Sequence, residues 1–207
     1  MPVHPKFHEV DEKVAQRARK AFGLNPDKFT VFVNAGWIGG GNIPQIFREL
    51  ARGELDVQAI FLAGKNEDLR LEAEEIAKTA RFPVKVIGYS DEVEKLMHSA
   101  NVMVSKLGGL TTFEALACRL PIIADITTPP MPQEAGTVRL IAKRGAGILL
   151  EKASDIVPTI QSLTGDSLRY RDMKAATAGL TIPNSTEQII NEITSLLPAY
   201  EMHRSAA

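Results

Sequence analysis

Six short apolar segments recur along the chain, and amphipathic stretches of helical period lie between them. The segments are 30–34 (TVFVN), 57–63 (VQAIFLA), 84–87, 102–105, 122–125 and, more weakly, 147–150. Most are near-continuous apolar runs rather than alternating ones. That predicts strands buried on both faces, as in a parallel sheet. Helical patterns cover 9–22, 43–52, 67–80, 92–98, 112–118 and 133–143, with Gly23, Gly53 and Gly145 standing where helices end. The stretch 154–197 predicts two or three further helices, broken at Gly165 and Pro183. Strands that alternate with helices require right-handed crossovers. The expected fold class is therefore α/β, a Rossmann-like doubly wound parallel sheet of about six strands with flanking helices.

The 207 residues suffice for one sizeable domain. A net charge of −1 argues against a broad electrostatic grip on nucleic acid. The single cysteine, Cys118, excludes a disulfide framework or a cysteine-rich zinc cluster, and this usage suits a reducing cytoplasm. No run approaches the roughly 20 apolar residues of a membrane span, and the N-terminus lacks the apolar region of a secretory signal. The expected location is the cytoplasm.

In such sheets ligands sit beyond the carboxyl ends of the strands. That singles out the loops 35–42, 88–91, 106–111 and 126–134. The third is the most informative. A strand runs into Gly108 and Gly109 and then directly into a helix. Two glycines let the backbone turn tightly and let a ligand approach it. A helix start offers free N–H groups and a positive dipole end to an anion. Leu110 follows, the hydroxyls of Thr111 and Thr112 add donors, and Glu114 sits about one turn in, where it can accept from a ribose diol. The same spacing, Thr111-x-x-Glu114, also fits a capping box that needs no ligand. Spacing does not separate the two readings.

The loop 34–42, NAGWIGGGN, brings Gly36, Gly39 and Gly40 to the end of the first strand, a composition suited to lying against a phosphate or sugar. It has neither the dinucleotide fingerprint nor the Gly-Lys-Ser/Thr ending of a P-loop. A flexible surface loop fits it equally. Trp37, the sole tryptophan, serves either as cover for a ligand or adjoining domain or as half-buried packing. Gln133 and Glu134 open a helix after the proline-rich loop, and Glu134 also reads as a favourable acid in a first turn. Tyr89 and Ser90 lie at a strand end, a base-contacting edge or a plain helix entry capped by Ser90 or Asp91. The four histidines form no catalytic pattern, and no metal site is expected.

Taken together, these loops resemble the C-terminal, donor-binding domain of the two-domain GT-B glycosyltransferases. They are closest to monogalactosyldiacylglycerol synthase and the processive diacylglycerol glucosyltransferases, and more distantly similar to the lipid II-forming N-acetylglucosaminyltransferase. The resemblance spans roughly residues 2–150 and is most specific at 86–123, VIGYSDEVEKLMHSANVMVSKLGGLTTFEALACRLPII, followed by PQEAG at 132–136. It implies a UDP-sugar donor with no cofactor required. Gly108, Gly109, Leu110, Thr111 and Thr112 would hold the diphosphate and Glu114 the ribose hydroxyls. Tyr89 and Ser90 would meet the uracil edge, and Gln133 and Glu134 the donor sugar. Gly36, Gly39 and Gly40 would belong to a loop closing over phosphate and acceptor. Pro132 stands where relatives commonly have Gly, Thr137 near a frequent Asn, and Trp37 and Ile38 where smaller or acidic residues are usual. These departures bear on sugar and acceptor more than on UDP.

The resemblance further implies that residues 1–8 are an interdomain linker remnant and 9–165 the UDP-sugar-binding domain. Residues 166–207 would be C-terminal helices packed on that domain or returning toward an N-terminal domain. That absent half would bind a lipid acceptor, carry the catalytic base of an inverting hexosyltransferase and sit peripherally on a membrane. This half alone would turn over little. Other readings are a stand-alone donor-binding subunit of a two-chain N-acetylglucosaminyltransferase, a UDP-sugar epimerase, and a non-catalytic nucleotide-binding module.

Overall fold

The computed structural model describes residues 1–8, 11–37, 41–132, 134–181 and 183–196. The strands are β1 (Thr30–Asn34), β2 (Gln58–Leu62), β3 (Val84–Ile87), β4 (Val102–Ser105), β5 (Ile122–Asp125) and β6 (Gly147–Leu150). They form one parallel sheet in the order β3-β2-β1-β4-β5-β6. The helices are α1 (Glu12–Ala21), α2 (Ile43–Arg52), α3 (Glu67–Ala77), α4 (Val93–Ser99), α5 (Gly109–Ala117), α6 (Ala135–Arg144), α7 (Ile156–Gly165), α8 (Ser167–Ala176) and α9 (Ser185–Leu196).

The apolar runs of the sequence are explained by two cores, one on each face of the sheet. Val31, Val33, Ala59, Phe61, Val102, Val104 and Ile123 face one core, closed by α2, α3 and α7. The intervening residues Phe32, Ile60, Leu62, Met103, Ile122 and Ala124 face the other, closed by α4, α5 and α6. Successive side chains of a strand point to opposite faces, so a strand covered on both sides has no place for a polar alternation. The tail forms three helices. α7 and α8 break at Asp166, whose carboxylate caps α8, and α9 starts just after Pro183.

Several element ends differ from the sequence expectation. α1 starts at Glu12, not residue 9, because the Asp11 carboxylate caps it by accepting from Lys13 N. α3 stops at Ala77, three residues short of the expected end. α6 starts at Ala135 behind Glu134 and ends, as its Gly145 predicts, on a left-handed residue with φ 69°. The largest shift is at α5, which begins at Gly109 rather than Thr112. Residues 1–8 are not detached from the domain: Val3 and Phe7 are buried in the second core, and Pro5–His8 forms a 3-10 turn against α4 and α5. No helix among the described residues is long and apolar enough to cross a membrane.

Candidate functional site

The strand order reverses direction between β1 and β4, which pair in parallel at the middle of the sheet. The crossover from β1 leads toward β2, and the crossover from β4 leads toward β5. The loops leaving their carboxyl ends therefore diverge and open a crevice, the usual place for a ligand in an open α/β sheet.

Gly108 and α5 lie on the β4 side of that crevice. Gly108 is extended, with φ −65° and ψ 138°, and its carbonyl accepts the first helical bond from Thr112 N at 3.0 Å. It is therefore the N-cap, and it carries no side chain to satisfy the first-turn N–H groups. The capping box does not form, since Thr111 and Glu114 both lie inside the helix. Leu110 is exposed and Thr111 partly so. Thr112 is only 1% exposed, and its hydroxyl has no hydrogen-bond partner among the described residues. A Cβ at Gly109 would come to 3.3 Å from Met1 Cε, so the N-terminal segment runs beside this turn.

Glu114 is half-buried one turn further along. Its carboxyl is held above the ordinary range by burial, with the neighbouring Glu94 carboxylate pushing the same way and the Lys6 ammonium opposing. Lys6 Nζ pairs with Glu94 at 2.9 Å. Burial works against ionisation of Glu94 too, but Lys6, a backbone bond and Lys95 bring it below its usual value. Three charges from the N-terminal segment, α4 and α5 thus meet beside the helix start.

The β1 loop is tied down at both ends. At its beginning Asn34 Oδ1 accepts from Gly36 N at 2.9 Å, and Gly36 has φ 83°. Trp37 is exposed and meets Tyr89 edge-on, with ring centroids 5.6 Å apart. Lys65 N donates to the Trp37 carbonyl at 2.8 Å, while its ammonium lies 4.2 Å from the Trp37 ring and 5.1 Å from the Tyr89 ring. Tyr89 donates its hydroxyl to Asp91 at 2.5 Å, and that bond, ahead of desolvation and the Asp91 charge, holds its phenol above the usual pKa. Ser90 Oγ accepts from Glu92 N at 3.1 Å; α4 has Glu92 as its N-cap with no side-chain cap, so neither Ser90 nor Asp91 plays that part.

At the other end of the loop, Gly41 has φ 72°, and a Cβ there would collide with the Lys106 side chain. Asn42 N donates to Asp125 Oδ2 at 3.1 Å, and Thr127 donates to Asp125 Oδ1 through N at 3.0 Å and its hydroxyl at 2.7 Å. One buried carboxylate at the end of β5 therefore holds the β1 and β5 loops across β4. Glu134 lines a small cleft with Lys106, Asp125 and Pro130, and its Oε2 accepts from Met131 N at 3.3 Å. Gly39, Gly40 and Gln133 lie outside the described residues.

The structure thus gathers Gly36, Tyr89, Ser90, Gly108, Gly109, Leu110, Thr111, Glu114 and Glu134 at one edge of the sheet. Asp125, Lys106, Lys65 and Lys6 join them without having been singled out by the sequence. A carboxylate ending the apolar run IIAD was a usable signal for Asp125. Lys65 lies in the loop that follows β2. His98 is buried, with its Nε2 3.1 Å from the Lys6 carbonyl. The Cys118 thiol is buried, and burial pushes it up, away from the thiolate form that a nucleophile needs. An open concavity of about 800 Å³ lies at the opposite, amino edge between Lys28, Asp56 and Tyr170. It is wide and mixed in lining, and the helix start on its rim, that of α8, is already capped by the Asp166 carboxylate.

The chain is 29% identical over 194 residues to the processive diacylglycerol beta-glucosyltransferase of Bacillus licheniformis, covering 93% of this chain and 49% of that protein. The Bacillus subtilis protein of the same description is 27% identical, with 93% and 50% covered. The chain spans about half the length of these curated relatives. MurG of Acinetobacter baumannii superposes with a TM-score of 0.72 at 12% identity, over 95% of this chain and 58% of that one. Anabaena HepE, solved with UDP-glucose, superposes with a TM-score of 0.69 at 17% identity, over 94% and 56%. These superpositions show the fold, a Rossmann-like GT-B half. Residues 42–189 match the glycosyltransferase family 28 C-terminal domain, and the chain belongs to that family.

Proposed function

We propose that this chain is the UDP-sugar-binding half of an inverting hexosyltransferase that acts on a lipid acceptor. The observation that carries this reading is the start of α5. It lies at the switch point of the sheet, opens with Gly108 as N-cap and Gly109 as first residue, and has no side chain capping its N–H groups. An anion is the natural complement of such a helix start. Names of relatives supply the chemistry: diacylglycerol glucosyltransferases in sequence, and a UDP-glucose complex among solved structures.

In this reading the diphosphate meets Gly108, Gly109, Leu110 and Thr111. Thr112, being buried, supports the turn from beneath. Glu114 accepts from the ribose hydroxyls, Tyr89 and Ser90 border the base, and Gln133 and Glu134 reach the sugar. In the reaction, the acceptor hydroxyl loses its proton to a base on the other half and its oxygen bonds to the anomeric carbon. The bond from that carbon to the diphosphate oxygen breaks, and UDP leaves with the electron pair. The role of this chain is to stabilise the charge on the departing diphosphate with helix N–H groups, which needs no metal. The exposed row Ile189, Ile190, Ile193 and Leu196 on α9 is the surface against which the acceptor-binding half packs. Residues 1–8 lead from that half into the domain.

UDP titration by calorimetry tests the reading. The chain is expected to bind UDP at millimolar concentration or below, and Glu114→Ala to weaken it about tenfold, the value of a hydrogen-bonded charged acceptor. Absent binding, or equal binding by the variant, overturns the assignment.

A further inference from the structure

Trp37, Lys65 and Tyr89 form an exposed cluster held in a fixed arrangement. Three loops build it, at the carboxyl ends of β1, β2 and β3. Trp37 is 60% exposed and Tyr89 49% exposed, yet their rings are fixed edge to face. The backbone beneath them is equally fixed. Gly64 has φ 67°, and a Cβ there would collide with the carbonyl oxygens of Gly36 and Trp37. That close approach sets Lys65 N against the Trp37 carbonyl and aims the lysine side chain across both rings. The ammonium has these two rings as its neighbours and no acidic side chain pairs with it among the described residues.

A cluster made for stability would be buried. An exposed cation over exposed rings contributes little to folding, and large aromatic side chains left in water mark contact surfaces. Two π faces and one unpaired donor fit a planar heterocycle that carries carbonyl oxygens. We propose that Trp37 and Lys65, together with Tyr89, form a platform for the pyrimidine base of the nucleotide, and that Lys65 sets a preference for a 4-oxo over a 4-amino base. The ring of Trp37 stacks on or borders the base, and the Lys65 ammonium donates to a ring carbonyl oxygen. An amino group at that position offers the ammonium no acceptor and repels it. This deepens the donor reading and rests on it.

The experiment titrates the full 207-residue chain with UDP and with CDP, following both heat and the emission of Trp37, its single tryptophan. UDP is expected to release or take up heat and to shift Trp37 emission. It is expected to bind more tightly than CDP. Lys65→Met leaves the Gly64 turn and the backbone bond in place, and is expected to reduce the UDP-to-CDP affinity ratio about tenfold, the share of one charge-assisted hydrogen bond. Lys65→Arg keeps a cation over the rings and should restore part of the ratio.

If UDP gives heat while Trp37 emission stays still and Lys65→Met keeps the ratio, the platform is overturned and the donor reading stands. If the variant weakens both nucleotides equally, the cation serves the phosphates and the base assignment is overturned. If UDP gives no heat at millimolar concentration, the donor reading falls and takes the platform with it.

Discussion

Two helix starts in this domain are built in opposite ways. α8 begins behind Asp166, whose carboxylate accepts from Leu168 N and Arg169 N at 3.0 Å each. α5 begins behind Gly108, which has no side chain to accept anything. α1 and α3 follow the first pattern, capped by Asp11 and Asn66. α2 and α6, which leave the ends of β1 and β5 on either side of α5, have no side-chain cap either. A helix needs its first N–H groups satisfied. Where the chain does this internally the element is purely structural. Where it declines to do so, beside a crevice, it keeps a place for something from solution. The contrast carries more than the glycines do, because a Gly-Gly turn by itself says only that the backbone bends.

The strongest way to break the contrast is to give α5 the cap that α8 has. Gly108 has ordinary extended angles, and a Cβ there meets nothing within 4 Å. Gly108→Asp therefore fits without strain, and should raise stability by a few tenths of a kcal/mol through the new cap. The same carboxylate stands where a diphosphate would bind. UDP affinity is expected to fall about a hundredfold, close to 2.7 kcal/mol. A melting curve and a calorimetric titration on one sample measure both. Unchanged UDP affinity alongside a raised melting temperature would show that α5 is an ordinary helix start.

A smaller effect comes from Glu114, the charged group one turn inside α5. Its carboxyl lies above the ordinary range through burial first, then Glu94, with Lys6 opposing. Folding thus favours its protonated form. The stabilisation from that shift is present at low pH and is lost as pH rises through the raised value. UDP binding runs the other way, because ribose hydroxyls need the carboxylate as acceptor. Affinity is expected to fall about tenfold as pH drops from neutrality through a window above the usual carboxylate range. Glu114→Gln should retain only the titration of the phosphate itself, near pH 6. Parallel profiles for the two proteins would remove Glu114 from the site.

The same contrast marks what was legible in the sequence. The sheet was readable because burial on both faces writes itself locally, as in VFV or IIA, where each neighbour serves a different core. The four loops were readable because parallel topology sends every carboxyl end to one edge. The start of α5 was misplaced by three residues. Thr111-x-x-Glu114 matches a cap by spacing, and only the extended angles of Gly108 decide against it. Asp125 stands out locally as a carboxylate ending an apolar run, but its role does not: its partner Asn42 is 83 residues away, and no local period records such a pairing. Lys65 escaped because its meaning depends on the Trp37 carbonyl and two rings brought from other strands.

The smallest expected effect on binding, and therefore the sharpest control, is removal of the cap that α8 does have. Asp166→Ala leaves Leu168 N and Arg169 N without their acceptor, a loss of about 1 kcal/mol. For a domain of this size that lowers the melting temperature by roughly 2–4 °C. Gly165 and Ser167, on either side of it, line the concavity at the amino edge, across the sheet from the crevice. UDP affinity should therefore not move at all. Gly108→Asp and Asp166→Ala then form a crossed pair, one lowering affinity while raising stability and the other lowering stability at constant affinity. If Asp166→Ala instead weakens UDP, the domain responds to nucleotide as a whole, and the separation of its helix starts into closed and open classes fails.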